Sequence, residues 1–326
     1  MHPAPSLIVF TVLSGLGLGM IFWLGLGYGV PLATVQLADG STAITEPFPA
    51  ATVFSLIGPA LAFVLAAAGG AASSLHLARP DRAWRAFSQW RSSWLSREAC
   101  LMVAALGLFA LYAGVWILWG ARLSLLGWLA AGFAAATVYA TAMIYGQLAT
   151  VPRWSLTPTP ALFLALAALG GLIGVEAAAR LSGGHAIASW ALFLALALVA
   201  GMVVRWQTAA AGAGRRAAGS DIGTATGLGR LGRVRAFEAP HTGTNYLLDE
   251  MAFRVGRRRA YELRLLGAAL GFGVPLVLLI LAAILPFGRG FLALLALVSH
   301  GAGIMALRWL FFAEAEHVQA LYYGQR

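Results

Sequence analysis

The run from residue 98 to residue 118 reads EACLMVAALGLFALYAGVWIL and contains one charged residue, Glu98, at its start. A helix of about 20 apolar residues covers about 30 Å, which is the thickness of the hydrocarbon core of a bilayer. The run therefore predicts a helix that spans a membrane. It also predicts that Glu98 lies where this helix enters the bilayer.

Seven further runs of the same kind occur in the 326 residues. The eight runs cover approximately residues 6–28, 51–75, 98–118, 124–146, 160–178, 186–206, 264–285 and 288–312. The chain is 60% hydrophobic and only 10% charged, which is outside the range of soluble domains. We expect an all-α bundle of eight transmembrane helices that forms one integral membrane domain over residues 1–326.

The basic residues predict the topology. All 22 of them are arginine, and most lie between predicted helices 2 and 3 or between predicted helices 6 and 7. Because basic loops stay in the cytoplasm, both termini are predicted to be cytoplasmic. The membrane is predicted to be the inner (cytoplasmic) membrane of the cell. The net charge of +10 is thus mainly a topology signal. No basic soluble module is left that would favour binding of nucleic acid.

The chain has one cysteine, Cys100, so its own cysteines build neither a disulfide nor an iron–sulfur cluster. Haem b normally needs two inward-facing histidines at similar depth. Only His300 is predicted deep in the membrane, so no haem and no metal site are expected in this chain. An interhelical hydrogen bond is the favoured interpretation of His300. A role in proton transfer or quinone binding is the alternative. Arg308 near the inner end of the same helix is a further candidate for this role, although snorkelling or ion pairing is its favoured interpretation.

The long segment between predicted helices 6 and 7, residues 207–263, forms a cytoplasmic loop in this topology. Residues 209–232 are rich in Ala, Gly, Ser and Arg and predict a flexible linker. Residues from about 244 to 263 have helix-start and helix-end signals and predict a helix. Its apolar side chains include Tyr246, Met251 and Phe253. They favour docking of a soluble subunit over contact with the bilayer surface, which is the alternative.

Small residues follow a regular spacing in the first apolar run. Gly15 and Gly19 are four positions apart, as are Gly25 and Gly29. This spacing lets two helix backbones approach closely in lipid. We therefore expect this helix to be tightly packed.

The stretch from His76 to Glu98 is the best indication of chemistry. His76 lies at the polar end of the second run, and Glu98 opens the third. Reduction or oxidation of a quinone moves protons together with electrons, so the site needs groups that exchange protons close to the lipid. An imidazole with an ordinary pKa of about 6.5 and a carboxylate at a membrane boundary have these properties. The structural alternative is that His76 caps a helix and that Arg97 or the helix dipole satisfies Glu98.

The loop between these two residues is rich in arginine and tryptophan. Arg79 and Arg82 follow His76 closely and are further candidates for the quinone site. Trp84 and Trp90 are interleaved with the charges and predict a docking surface for a soluble subunit. Binding of anionic lipid headgroups is the alternative.

Two short motifs in this loop resemble those of a known family. The motifs are His76-Leu77-Ala78-Arg79-Pro80 and Leu95-Ser96-Arg97-Glu98, and they are similar to motifs in the membrane-anchor subunits of dimethyl sulfoxide reductase type molybdoenzymes. Ala78 replaces the glycine that is common in that family. The predicted helical segment at residues 245–259 resembles the corresponding segment in the branch of the family that is associated with quinone-linked sulfite dehydrogenases.

This resemblance implies a function for the complex as well as for the chain. An anchor of this family binds ubiquinone or menaquinone without a haem. It exchanges electrons with a ferredoxin-like iron–sulfur subunit, which is connected to a molybdopterin catalytic subunit. The family's quinone-binding histidine and glutamate match His76 and Glu98. The sulfite dehydrogenase branch implies that quinone is reduced, whereas the reductase branches oxidise quinol, so the direction of electron flow stays open.

Two other classes of membrane protein agree less well with the sequence. A transporter is expected to have repeated halves and broken helices around a central cavity, and the sequence contains no convincing internal repeat. A cytochrome b type anchor requires paired haem ligands.

Overall fold

A computed structural model describes residues 4–28, 33–36, 42–45, 50–76, 79–184, 189–217, 221–235, 237–238 and 259–318. Within these residues, eight helices are long and apolar enough to cross a membrane. They are α1 (Pro5–Gly25), α2 (Ala50–Ala72), α3 (Trp94–Trp119), α4 (Ser124–Gly146), α5 (Thr159–Leu181), α6 (Ser189–Ala217), α7 (Ala260–Ile284) and α8 (Arg289–Ala313). The predicted all-α membrane bundle is confirmed, while the sidedness of the termini stays a prediction.

Most predicted helix ends agree with the structure to within about one helical turn. The start of α3 is instructive, because the helix begins at Trp94 and the Ser93 hydroxyl caps it by accepting from the Ser96 N–H at 3.4 Å. Glu98 consequently lies one turn inside α3 and not at its first residue. This places its side chain between helices.

The segment after α6 differs from the prediction in its first part. Helix α6 continues to Ala217, so residues 209–217 of the predicted flexible linker are helical, in keeping with the high helix propensity of alanine. A short helix, Ile222–Thr226, follows and has an Asp221 capping box. Most of the predicted helix at about 244–263 lies outside the described residues, including Tyr246, Met251 and Phe253; α7 begins at Ala260.

A short β-hairpin precedes α2. Strands β1 (Ala33–Gln36) and β2 (Thr42–Thr45) pair antiparallel, with Ala33 opposite Thr45. The hairpin was not predicted, although β-branched residues are frequent in both strands and favour this structure. It lies in a loop, so the membrane-spanning part of the described chain remains helical.

Helix α1 forms the centre of the bundle. It packs against α2, α4, α5 and α8, and glycines allow the closest approaches. A Cβ atom at Gly19 would overlap the Ala167 carbonyl oxygen of α5, and one at Gly25 would overlap the Gly127 carbonyl oxygen of α4. The expectation of a tightly packed first helix is therefore confirmed. Gly15, in contrast, has no atom within 4 Å of the position its Cβ would take.

A turn of π-helix, Ala269–Gly273, interrupts α7. A wider π turn releases backbone carbonyls from the regular α-helical pattern, and α8 supplies partners for two of them. The Ser299 hydroxyl donates to the Leu270 carbonyl at 2.8 Å. His300 Nδ1 lies 2.7 Å from the Gly271 carbonyl oxygen. The predicted interhelical hydrogen bond of His300 is thus confirmed, and it fixes the imidazole inside the bundle.

One carboxylate joins three elements at the end of α8. Glu314 accepts from Arg153, in the α4–α5 connection, at 2.9 Å, and also from Arg264 at the start of α7. The Arg153 and Glu314 side chains are 15% and 12% exposed, so water screens this pair only partly.

We expect Glu314→Gln to destabilise the protein by about 1–3 kcal/mol, because two guanidinium groups lose the negative charge that they share. The loss is smaller than for a fully buried ion pair because water partly screens these charges. Thermal unfolding of the purified protein in detergent measures the effect. Glu238→Gln is the matched control, since Glu238 is exposed. Equal melting temperatures for both variants would contradict a stabilising role of the Glu314 network.

Candidate functional site

The loop between α2 and α3 carries the first group of predicted site residues. The backbone of His76 ends a 3₁₀ turn, Ser73–His76, directly after α2; its side chain lies outside the described part of the chain. Arg79 makes two hydrogen bonds of 3.1 Å to the Asp81 carboxylate. Arg82 Nε lies 3.9 Å from the same carboxylate. All three charged side chains are exposed, so these ion pairs are weak and a ligand can replace them at low cost.

The tryptophans of this loop are exposed and are accompanied by arginines. The guanidinium carbon of Arg85 lies 5.5 Å from the ring centroid of Trp84. The guanidinium carbon of Arg91 lies 5.8 Å from the ring centroid of Trp90. The two indoles are 67% and 56% exposed. The structure thus leaves the predicted docking residues of this loop available on the surface.

Glu98 is buried between α3 and α4. Its side chain is 5% exposed, and Oε1 accepts a hydrogen bond from the Thr141 hydroxyl of α4. Arg97 does not neutralise it, because the Arg97 guanidinium donates to the Trp90 carbonyl at 2.9 Å and the Arg91 carbonyl at 2.6 Å. Of the structural alternative, the part in which Arg97 satisfies Glu98 is therefore wrong, while the helix dipole stays an alternative.

The hydroxyl of Thr141 connects Glu98 to a second acceptor. The hydroxyl oxygen lies 3.0 Å from the Thr137 carbonyl oxygen, and it also contacts the Glu98 carboxylate. A hydroxyl has one proton and two lone pairs. With Glu98 ionised, Thr141 donates to the carboxylate. With Glu98 protonated, the carboxyl donates to Thr141, which turns its own proton to Thr137. Neither protonation state leaves this pair of buried groups without a hydrogen bond.

Tyr145 and Arg308 extend this polar region. Tyr145 lies one turn beyond Thr141 on α4, and its ring centroid is 6.0 Å from that of Phe163. The Arg308 guanidinium lies over the Phe163 ring, 3.5 Å from its centroid, and is 5% exposed. The structure therefore brings Glu98 and Arg308, which are far apart in sequence, into one buried region.

A narrow cleft between α1, α4, α5 and α8 joins these residues to His300. It has about 20 Å³ of space for water. Its polar lining comes from three of the helices and comprises Thr11, Ser14, Thr141, His300 and Arg308. In the part of the chain that is described, no cluster of three or more His, Cys, Asp or Glu residues is suited to hold a metal ion. The arrangement is suited to proton exchange inside a membrane.

Sequence reasoning did not identify Thr141 or Tyr145. The only local signal is the spacing of Thr137, Thr141 and Tyr145, which places them on one face of α4. That signal does not indicate which helix the face meets. The contact with Glu98 depends on the pairing of α3 with α4.

The chain, with eight candidate membrane-spanning helices in its described residues, is similar to known membrane subunits. The profile of the DMSO reductase anchor subunit (DmsC) family matches residues 1–212, and the chain belongs to this family. It is also similar to the C subunit of sulfite dehydrogenase from Allochromatium vinosum, with 32% identity over 340 aligned residues that cover 99% of each chain. The protein is therefore a polytopic membrane-anchor subunit of a molybdoenzyme complex.

Proposed function

We propose that this subunit exchanges electrons between the membrane quinone pool and a partner iron–sulfur subunit. The quinone is ubiquinone or menaquinone. The iron–sulfur subunit passes electrons to or from a molybdopterin catalytic subunit. The chain contributes the lipid-accessible quinone site and the proton exchange that quinone chemistry requires.

The buried contact between Glu98 and Thr141 carries this proposal. A carboxyl group inside a membrane protein is costly and is a functional candidate for that reason. Here its partner hydroxyl serves both the ionised and the protonated form, as a group that takes and returns protons requires. A purely structural carboxylate needs only one of these states.

The other site residues have supporting roles. His76 ends the turn that leads into the site loop, and its imidazole exchanges the second proton. Arg79 and Arg82 hold the polar side of the quinone ring by hydrogen bonds to its oxygens. His300 and Arg308 form a secondary group deeper in the bundle.

The partner subunit docks on the cytoplasmic side in this proposal. Its surface is formed by the loops after α2 and α6, with Trp84 and Trp90 in the first loop and Tyr246, Met251 and Phe253 in the second. The exposure of Trp84 and Trp90 supports this assignment. Docking there brings an iron–sulfur cluster close to a quinone at Glu98, so electrons pass without a metal centre in this chain.

The similarity to a sulfite dehydrogenase subunit favours electron flow toward quinone. Oxidation of sulfite with water yields sulfate, two electrons and two protons, and quinone takes up two electrons and two protons to become quinol. We expect the complex purified through this chain to reduce a short-chain quinone when sulfite is added, at least about tenfold faster than without sulfite, because binding and electron transfer are coupled in one assembly.

Three further measurements on the same complex test the proposal against its alternatives. Reduction of dimethyl sulfoxide or another S- or N-oxide by quinol, without sulfite-dependent activity, would assign the chain to a reductase complex. Loss of sulfite-dependent quinone reduction after removal of the soluble subunits supports the proposed electron path. Purification of the chain alone from its native membrane would contradict an anchor role and favour a transporter.

A further inference from the structure

The cleft next to Glu98 contains two buried polar atoms whose hydrogen bonds are incomplete. His300 Nε2 and Arg308 Nε have no hydrogen-bond partner among the described residues. His300 is fully buried and Arg308 is 5% exposed. Both side chains line the cleft. Because a buried polar group without a partner is costly and rare in folded proteins, these two atoms indicate a polar ligand that the protein atoms do not supply.

The hydrogen bond of His300 Nδ1 determines whether Nε2 of the same ring donates or accepts a hydrogen bond. A carbonyl oxygen only accepts hydrogen bonds, so Nδ1 must carry the proton in the 2.7 Å contact with Gly271. Nε2 of the neutral ring is then an acceptor. Arg308 Nε is a donor. The cleft thus offers one acceptor and one donor, a combination that suits water.

The size of the cleft decides between water and a larger ligand. About 20 Å³ of space is enough for one water molecule, which needs at least about 10–15 Å³ by the same measure. A quinone ring is several times larger. Cavities that stay empty are lined by apolar groups, whereas this one has five polar side chains in its lining. Water is therefore the occupant that fits both the volume and the chemistry.

Thr141 connects this space to Glu98. Thr141 lines the cleft, and its hydroxyl contacts the Glu98 carboxylate. On α8, His300 lies eight residues before Arg308, which corresponds to about 12 Å along a helix. The cleft therefore extends along α8 from Arg308 toward the middle of the membrane.

We infer that the cleft holds ordered water and passes protons between Glu98 and His300. Protonated Glu98 gives its proton to the Thr141 hydroxyl, which gives its own to the water, and the water gives one to His300 Nε2. The result is a Glu98 carboxylate and a His300 imidazolium, with Thr141 and the water unchanged; the return uses the same steps. This inference rests on the proposed quinone chemistry at Glu98 and adds a place that stores a proton.

Two variants interrupt this path at different points in the intact complex. Thr141→Val keeps the shape of the side chain and removes its hydroxyl. His300→Asn keeps a donor near the Gly271 carbonyl and removes Nε2. We expect either variant to lower kcat for quinone-linked turnover about tenfold with an unchanged KM for quinone, and to raise the solvent deuterium isotope effect on kcat.

Two control variants separate this effect from altered packing. Thr141→Ser retains the hydroxyl and is expected to keep kcat close to that of the unmodified protein. Ser299→Ala removes the neighbouring hydrogen bond to the π turn, but Ser299 does not line the cleft, so its isotope effect is expected to stay unchanged. Co-purification of the partner subunits, and their activity with a dye that accepts electrons directly, verify assembly of each variant.

The outcomes distinguish this inference from the proposed function. Unchanged kcat and isotope effect in both Thr141→Val and His300→Asn, together with an inactive Glu98→Gln, would overturn the water path and leave the quinone site intact. Full quinone-linked activity of Glu98→Gln would overturn the role of Glu98 in the proposed function, on which this inference rests. A tenfold loss in Thr141→Val that Thr141→Ser does not share supports the path.

Discussion

Replacement of Glu98 by glutamine is expected to reduce quinone-linked turnover of the intact complex by about two orders of magnitude. Glutamine has nearly the same size and still accepts a hydrogen bond from Thr141. It does not exchange protons. The change therefore removes the acid–base function and retains most of the packing around this buried position. Steady-state reduction of a short-chain quinone by the complex measures the loss.

A second readout assigns this loss to the quinone site. A dye that takes electrons directly from the soluble subunits is expected to work equally well with Glu98→Gln and with the unmodified protein. Glu262→Gln is the matched control, because Glu262 is an exposed residue of α7 outside the cleft. His76→Ala should lower quinone-linked turnover as well. If both His76→Ala and Glu98→Gln retained full activity, the assignment of the site to these residues would be wrong.

Gly19→Ala is expected to destabilise the protein at least as much as Glu314→Gln. The added methyl group would overlap the Ala167 carbonyl oxygen and approach Gly171, so α1 and α5 must move apart. Overpacking of this kind costs about 1–3 kcal/mol, and a backbone neighbour does not relax as a flexible side chain does. A lower melting temperature in detergent and a lower yield of assembled complex measure the loss.

Gly15→Ala is the control on the same helix. The position of its Cβ has no atom within 4 Å, so we expect a stability change within about 0.5 kcal/mol. The two glycines have the same spacing signal in the sequence and differ only in what faces them. Equal destabilisation by both substitutions would contradict the close contact of α1 with α5.

The sequence was sufficient to predict the bundle because a membrane imposes a strong constraint on composition. An apolar run such as residues 124–146 has only one stable conformation in lipid, and α4 has these bounds in the structure. The hairpin before α2 was missed because no such constraint acts on a loop. The C-terminal extension of α6 was missed because Ala and Gly in a polar context suit both a helix and a linker.

The candidate site was predictable only in part. Glu98 was accessible to sequence reasoning, since an acid at the start of an apolar run is unusual. Thr141 was not, because a threonine in an apolar helix usually bonds its own backbone, and its contact with Glu98 arises only when α3 and α4 pair. Arg308 was a candidate from the sequence, but its position beside the cleft could not be predicted because it depends on how α8 packs against α5.

The central position of α1 has a consequence for biogenesis. This helix is made before the other seven, yet its contacts with α5 and α8 form only after those two helices have been synthesised. Its contact with α2, where Gly17 meets Ala66, can form early. The surface that later receives α5 must therefore remain in contact with lipid during synthesis, and glycine allows this without exposing a polar side chain. Insertion of α8, which contributes His300 and Arg308, then completes the polar lining of the cleft.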